Sequence, residues 1–184
     1  MEILKKPLVI NLFAGPGTGK STTVAQIFSD LKWKGINCEM TLEFAKEKVW
    51  EESFKVLDDQ IYIFAKQLHK MRRLVGKVDV IISDSPLLLS LIYDETKNQI
   101  FKNLVLDVNG EFNNFNVFLH RDKEYEQAGR MQDKNGAIEL DKKILGMLDK
   151  NKISYFTFNA IKLEISKISD IITLMVNQEK ETIK

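Results

Sequence analysis

Residues 14–21 of the chain read Ala-Gly-Pro-Gly-Thr-Gly-Lys-Ser. These are the residue types a polyphosphate demands. Glycine carries no Cβ, so main-chain N–H groups can crowd inward around an anion. The positive end of a following helix adds to their pull. By reach, the N–H groups of Gly17, Gly19, Lys20 and Ser21 wrap a β-phosphate, the Lys20 ammonium bridges β- and γ-oxygens, and the Ser21 hydroxyl ligates Mg²⁺. Gly15, Pro16, Thr18 and Thr22 complete the stretch expected to touch ATP. The strict pattern begins with glycine; Ala14 stands there instead and is a commonly accepted variant. The plainer alternative is a glycine-rich turn that merely joins a strand to a helix. An apolar run before the octet and a helical run after it favour the phosphate loop.

Other side chains could complete phosphoryl-transfer chemistry around such a loop. Asp84 ends the apolar run Val-Ile-Ile-Ser-Asp and is placed, beside the phosphate loop, to support a metal ion or orient an acceptor. The competing role is capping of the helix that Pro86 starts, with Ser85 available for the same task. Glu43 follows a second strand and could accept the proton of an attacking hydroxyl. Lys46, one turn on, could neutralise it or bind an anionic group; a solvated surface pair is the alternative. Arg121 and Arg130 lie in a polar segment, about 121–136. Two guanidinium forks there suit a helical lid that stabilises the transferring phosphoryl group and excludes water. A charged surface helix is the competing reading. Gln60, Phe64, Gln67 and Met71 share one side of a helix, spaced either to clamp a planar base or to form a boundary face. Lys66, Lys70, Arg72, Arg73 and Lys77 form a basic cluster on that helix, either a solvated face or a contact for nucleic-acid phosphate. His69 and His120 have no metal-ligand spacing. Asn151-Lys152-Ile153-Ser154 starts like a guanine-reading signature but lacks its Asp.

The elements that must position these groups alternate along the chain. Strands are predicted at Leu8–Phe13, Ile36–Thr41, Val78–Ser83, Phe115–Leu119 and Ile153–Phe158. Helices are predicted at Lys20–Lys32 with Gly35 as its stop, Glu43–Asp58, Asp59–Gly76, Leu87–Tyr93, Ile100–Val108, Leu140–Lys150 and Leu163–Asn177. The Asp59–Gly76 helix is predicted to bury the stripe Ile61, Ala65, Leu68 and Val75. Short apolar strands alternating with helices imply an α/β fold, a five-stranded parallel sheet covered on both faces. Ligands in such sheets bind beyond the carboxyl ends of the strands, where all the groups above fall.

The chain has 184 residues, 44% hydrophobic and 29% charged, with net charge +1. Those values fit one soluble globular domain spanning 1–184 and give no strong field that would advertise DNA or a membrane. Cys38 is the single cysteine, so no disulfide framework or cysteine-based metal site is expected. Lysines near the start have no long apolar core behind them, so no signal peptide is read there, and a reducing cytoplasm is the expected location.

Read together, these motifs resemble the P-loop nucleoside and nucleotide kinases, most closely the ribosylnicotinamide-kinase-like group, and more distantly deoxynucleoside and thymidylate kinases. The octet matches the ATP loop. Glu43-Phe44-Ala45-Lys46 resembles a Glu-aromatic-small-Arg element, Gln60 and Gln67 resemble the glutamines of the next helix, and Gly129-Arg130 resembles the Gly-Arg of the lid. The resemblance implies a P-loop three-layer α/β/α sandwich, with ATP and Mg²⁺ as cofactors and a monomer or homodimer. It also implies phosphoryl transfer to a hydroxyl of a nucleoside, nucleotide or similar small molecule. Glu43, Phe44, Lys46, Gln60, Phe64 and Gln67 are then expected at the acceptor. Ser85 and Lys46 stand where the family usually has arginine, which points to an unusual acceptor. The Asn/Lys-rich style resembles phage proteins, and some phages carry related enzymes that phosphorylate a hydroxymethylated pyrimidine in DNA. A DNA kinase is therefore the alternative of like chemistry, and a nucleotide-operated ATPase switch the alternative of another class.

Overall fold

Every residue of β1, Leu8–Phe13, is buried. That follows from its place at the centre of a five-stranded sheet of order β2-β3-β1-β4-β5, all parallel. The other strands are β2 (Cys38–Thr41), β3 (Val80–Ser83), β4 (Asn113–His120) and β5 (Phe156–Asn159). The computed structural model describes residues 6–121 and 134–182, with helices α1 (Lys20–Trp33), α2 (Phe44–Trp50), α3 (Gln60–Arg72), α4 (Ser90–Tyr93), α5 (Gln99–Gly110), α6 (Lys134–Lys150) and α7 (Lys162–Thr182). Among the described residues no helix is long and apolar enough to cross a membrane.

Side-chain alternation along the strands divides the core into two layers. Leu8, Ile10 and Leu12 pack with Val24, Ile27 and Leu31 of α1 and Ile165, Ile168 and Ile172 of α7. Val9 and Phe13 face the other way, among Phe64 and Met71 of α3, Phe101 and Val105 of α5, and Ile144 and Leu148 of α6. This is the expected three-layer α/β/α arrangement. Asn11 interrupts the second layer and donates to the side-chain oxygens of Asn114 (2.8 Å) and Asn116 (3.0 Å) on β4. A buried amide with a fixed partner disfavours a one-residue slip between the two strands.

Several boundaries differ from the sequence reading, each for a local reason. The region 43–58 is not one helix: α2 stops at Trp50, Glu52 takes a left-handed φ of 55°, and a 3₁₀ turn covers Phe54–Asp58. The Ser53 N–H reaches back to the Lys48 carbonyl, a helix-closing pattern. At the end of α6, Lys152 (φ 56°) closes the helix and Ile153 bonds back to Leu148, so β5 begins only at Phe156. Asp59 caps α3 rather than joining it, accepting from the Tyr62 N–H at 3.0 Å. The buried stripe of α3 is Ile63, Phe64, Gln67 and Met71; Ile61 is 60% exposed, so the predicted stripe was rotated away from the core. At α1, Gly35 takes φ 72° and stops the helix as expected.

Candidate active site

The loop between β1 and α1 leaves the middle of the sheet. Gly17 and Gly19 take φ of 76° and 102°, backbone states that favour glycine. Gly19 is the N-cap of α1, and the first helical hydrogen bond runs from Thr23 N–H to Gly19 O at 2.9 Å. The amides of Gly19, Lys20, Ser21 and Thr22 therefore have no intrahelical acceptor. No side chain caps them, and no acidic residue sits in the first turn. A helix start left in this state is suited to an anion. The Thr18 hydroxyl donates to the Gly15 carbonyl at 3.0 Å and braces the loop. Lys20 Nζ donates to the carbonyls of Ala14 (2.7 Å) and Gly15 (3.2 Å).

Beside the loop, the Ser21 hydroxyl donates to Asp84 Oδ2 at 3.2 Å. Asp84 is 3% exposed, and its other oxygen, Oδ1, is buried without a hydrogen-bond partner. Burial pushes the Asp84 carboxyl above its ordinary value, opposed by Lys20, the Ser21 hydroxyl and the Glu43 main-chain amide. An orphaned carboxylate oxygen next to a serine hydroxyl fits Mg²⁺, which takes one or two protein oxygens and fills its shell with water and phosphate. Among the described residues no cluster of three or more His, Cys, Asp or Glu could hold a metal alone. Ser85 does not cap the next element: the 3₁₀ turn Leu87–Leu89 has Pro86 at its N-cap and no side-chain cap.

Glu43 precedes α2 and completes the acidic side of the site. Burial raises its pKa and Asp84 raises it further, against the pull of Lys20 and Lys46. Lys20 is shifted the other way: burial lowers its pKa, partly offset by Glu43, Asp84 and Asp141, with Arg121 adding to the lowering. The four groups Lys20, Ser21, Glu43 and Asp84, drawn from three loops, thus share one field. Opposed shifts of this kind cluster at functional sites.

The remaining expected residues divide. Phe64, Gln67 and Met71 are core, at 3%, 4% and 1% exposure. Gln67 spends its oxygen on the Phe44 N–H at 3.3 Å and leaves Nε2 buried and unpaired. Gln60 donates to the Leu57 carbonyl at 2.7 Å and tethers the 3₁₀ turn. Phe44 is buried and Lys46 exposed. In the basic cluster, Lys70 pairs with Glu47 and Arg72 with Glu111. Arg121 is occupied by protein: it donates to the Pro16 carbonyl (2.8 Å) and to Asp141 Oδ2 (3.0 Å). Arg130 lies outside the described residues, as does the 121–136 segment apart from Arg121 and the first turn of α6.

Two participants escaped the sequence reading. Asp141, on α6, accepts the Gly15 N–H as well as the Arg121 guanidinium. The Gly15 amide is therefore committed to the protein. Asp141 follows Ala137 and precedes Ile144 and Leu148 on a buried stripe, and a lone acid on an apolar stripe is the signal that could have found it. Tyr93, at the end of α4, is 40% exposed as a residue, yet its hydroxyl pKa is raised by local desolvation and by the nearby charge of Glu43.

Solved structures give the same fold at low identity. The NadR protein in complex with NR is 16% identical with TM-score 0.65, over 82% of this chain and 45% of that one. The NadR protein in complex with NAD and AMP-PNP is 12% identical with TM-score 0.66, over 93% and 50%. This chain thus spans about half the length of those NadR chains. A deoxyadenosine kinase from M. mycoides, solved with the products dcmp and dcdp, is 18% identical with TM-score 0.52, over 92% and 99%. Among curated proteins no sequence matches this chain. The model described as AAA domain matches residues 9–164, from the second residue of β1 to the first turn of α7, and the chain belongs to that family.

Proposed function

We propose that the protein is an ATP- and Mg²⁺-dependent kinase that phosphorylates a hydroxyl of a nucleoside, nucleotide or nucleotide-like molecule. One observation carries the reading: the uncapped start of α1 opens beside a Ser21–Asp84 pair whose free carboxylate oxygen has no partner, with Glu43 in the same field. The nest accounts for the triphosphate. The titratable acid beside it accounts for an acceptor, which a simple nucleotide-binding switch does not need. The likeness to proteins solved with NR, with NAD and AMP-PNP, and with dcmp and dcdp supports an acceptor of the nucleoside class.

The roles follow from placement. The amides from Gly17 to Thr22 bind the β- and γ-phosphates of ATP. Lys20 exchanges its carbonyl partners in the loop for phosphate oxygens, gaining charge-assisted bonds. Ser21 and Asp84 would hold Mg²⁺, which when bound neutralises charge developing between the β- and γ-oxygens. Glu43 accepts the proton of the acceptor hydroxyl as its oxygen bonds to the γ-phosphorus and the bond to the β–γ bridging oxygen breaks, releasing ADP. Its raised pKa brings its basicity nearer the working pH, which favours a general base. Phe44 and Lys46 are assigned to the acceptor side, and Gln67, which accepts from the Phe44 N–H, has its Nε2 unpaired.

The test is transfer from γ-labelled ATP to a panel of nucleosides, nucleotides and oligonucleotides, with and without hydroxymethylated pyrimidines. A labelled small acceptor is the expected result. Label on oligonucleotides alone transfers the reading to a nucleic-acid kinase, and hydrolysis with no labelled acceptor overturns kinase action in favour of an ATPase.

A further inference from the structure

The Ala14–Gly15 peptide is held from both ends. Its carbonyl accepts from Lys20 Nζ at 2.7 Å, and its N–H donates to Asp141 Oδ1. The second oxygen of Asp141 accepts from Arg121 at 3.0 Å, and Arg121 also donates to the carbonyl of Pro16 at 2.8 Å. Both charged side chains are largely withdrawn from water, at 19% and 12% exposure. The result is a continuous chain of donors and acceptors: ammonium, peptide, carboxylate, guanidinium, loop carbonyl. Each member polarises the next. Space enforces the contact as well. A Cβ on Gly15 would lie 2.6 Å from the Ala137 carbonyl oxygen and 2.8 Å from Asp141 Oδ1, so glycine alone lets α6 approach this closely.

We infer that Asp141 is a positioning residue of the phosphate loop, and that through the Ala14–Gly15 peptide it sets where Lys20 waits for a triphosphate. The inference rests on the reading that this loop holds a nucleotide. Asp141 touches neither nucleotide nor acceptor in this scheme. It holds the Ala14–Gly15 peptide directly and the Pro16–Gly17 peptide through Arg121, which keeps the later amides facing the anion and holds the ammonium within reach of it. A buried carboxylate on α6 would otherwise be costly. Its two oxygens are instead matched to one peptide N–H and one guanidinium.

The experiment compares the full chain with the Asp141→Asn and Ser169→Ala variants, by calorimetric titration with Mg·ADP and with tripolyphosphate. Ser169 is buried and ties α7 to Asp30 at the far end of α1, so it reports destabilisation remote from the loop. Asp141→Asn is expected to weaken both ligands about tenfold, the scale of one charged hydrogen bond. Ser169→Ala is expected to lower the melting temperature and leave both affinities unchanged. Unchanged affinities in Asp141→Asn overturn the inference, as do losses in the two variants that track their melting temperatures. A second measurement needs no variant: the Gly15 amide proton should resonate far downfield and exchange slowly, and a freely exchanging amide there refutes the contact. Wild-type binding without any phosphorylated acceptor sinks the kinase reading alone and leaves the role of Asp141 standing.

Discussion

The Ser21 hydroxyl on the first turn of α1 donates to Asp84 at the tip of β3, 3.2 Å away, although the two residues are 63 positions apart. The bond joins the phosphate loop to the next strand across the sheet and leaves Asp84 Oδ1 buried and bare.

Asp84→Asn keeps the shape and removes the charge. The half-saturating Mg²⁺ concentration for phosphoryl transfer is expected to rise at least about tenfold, by analogy with the loss of groups that support a metal. Nucleotide binding measured without Mg²⁺ should barely change. Initial rates over a Mg²⁺ titration at fixed ATP check this; an unchanged midpoint removes Asp84 from the metal site.

Glu43→Gln separates activity from stability. A carboxyl whose folded pKa lies above its unfolded value holds its proton more tightly in the folded state. Folding is therefore unburdened in acid and loses stability as pH rises from the ordinary carboxylate range through the folded value. Glutamine removes that cost, so the variant should melt higher at neutral pH, with the gap closing toward acid. Transfer should fall about a hundredfold or more through loss of the base. Thermal melts across pH, with kcat on the best acceptor, measure both effects. A variant that melts lower at neutral pH contradicts the assignment.

Gln67→Leu leaves the buried Phe44 N–H without the acceptor it now has at 3.3 Å. The expected cost is about 1–3 kcal/mol of stability, read by urea denaturation. If Nε2 also serves the acceptor, acceptor KM rises while nucleotide affinity is kept.

Two glycines should respond oppositely to alanine. Gly146, exposed on α6 with open space around its Cβ position, should gain up to about 1 kcal/mol. Gly15→Ala forces the loop away from α6 and should lose about 1–3 kcal/mol together with most nucleotide binding. Melting curves and titrations on both variants decide; a tolerated Gly15→Ala means that the close approach of α6 is dispensable.

The sheet and the loop were legible because their determinants are local. Apolar runs bounded by turns mark β1, β3 and β4, and the glycine spacing of 15, 17 and 19 marks the loop. The left-handed closures at Glu52 and Lys152 were not legible, since neither residue type announces such a φ. They displaced the end of α2 and the start of β5. The α3 stripe was misjudged because Gln67, a polar residue, faces the core and Ile61 faces water. At the site, carboxylates and lysines following strands could be listed from topology alone. The bond from Gly15 to Asp141 spans 126 positions, and Arg121 looked free for phosphate until its partners on the loop and α6 were seen. Sequence patterns fix which groups reach the carboxyl edge of the sheet. Which of them are consumed by one another depends on long-range packing.

The central position of β1 governs how late the loop can take shape. Leu8 sits opposite Val80 on one side and Asn113 on the other, so this strand has no neighbour in the sheet until at least seventy intervening residues have been made. Closing such wide circuits is slow, and rates fall as the separation of touching residues grows. A nascent chain ending before β4 would carry the glycine motif on a half-covered apolar strand, an aggregation-prone species. Competence to grip an anion should therefore emerge abruptly and late in refolding, together with the β1–β4 pairing.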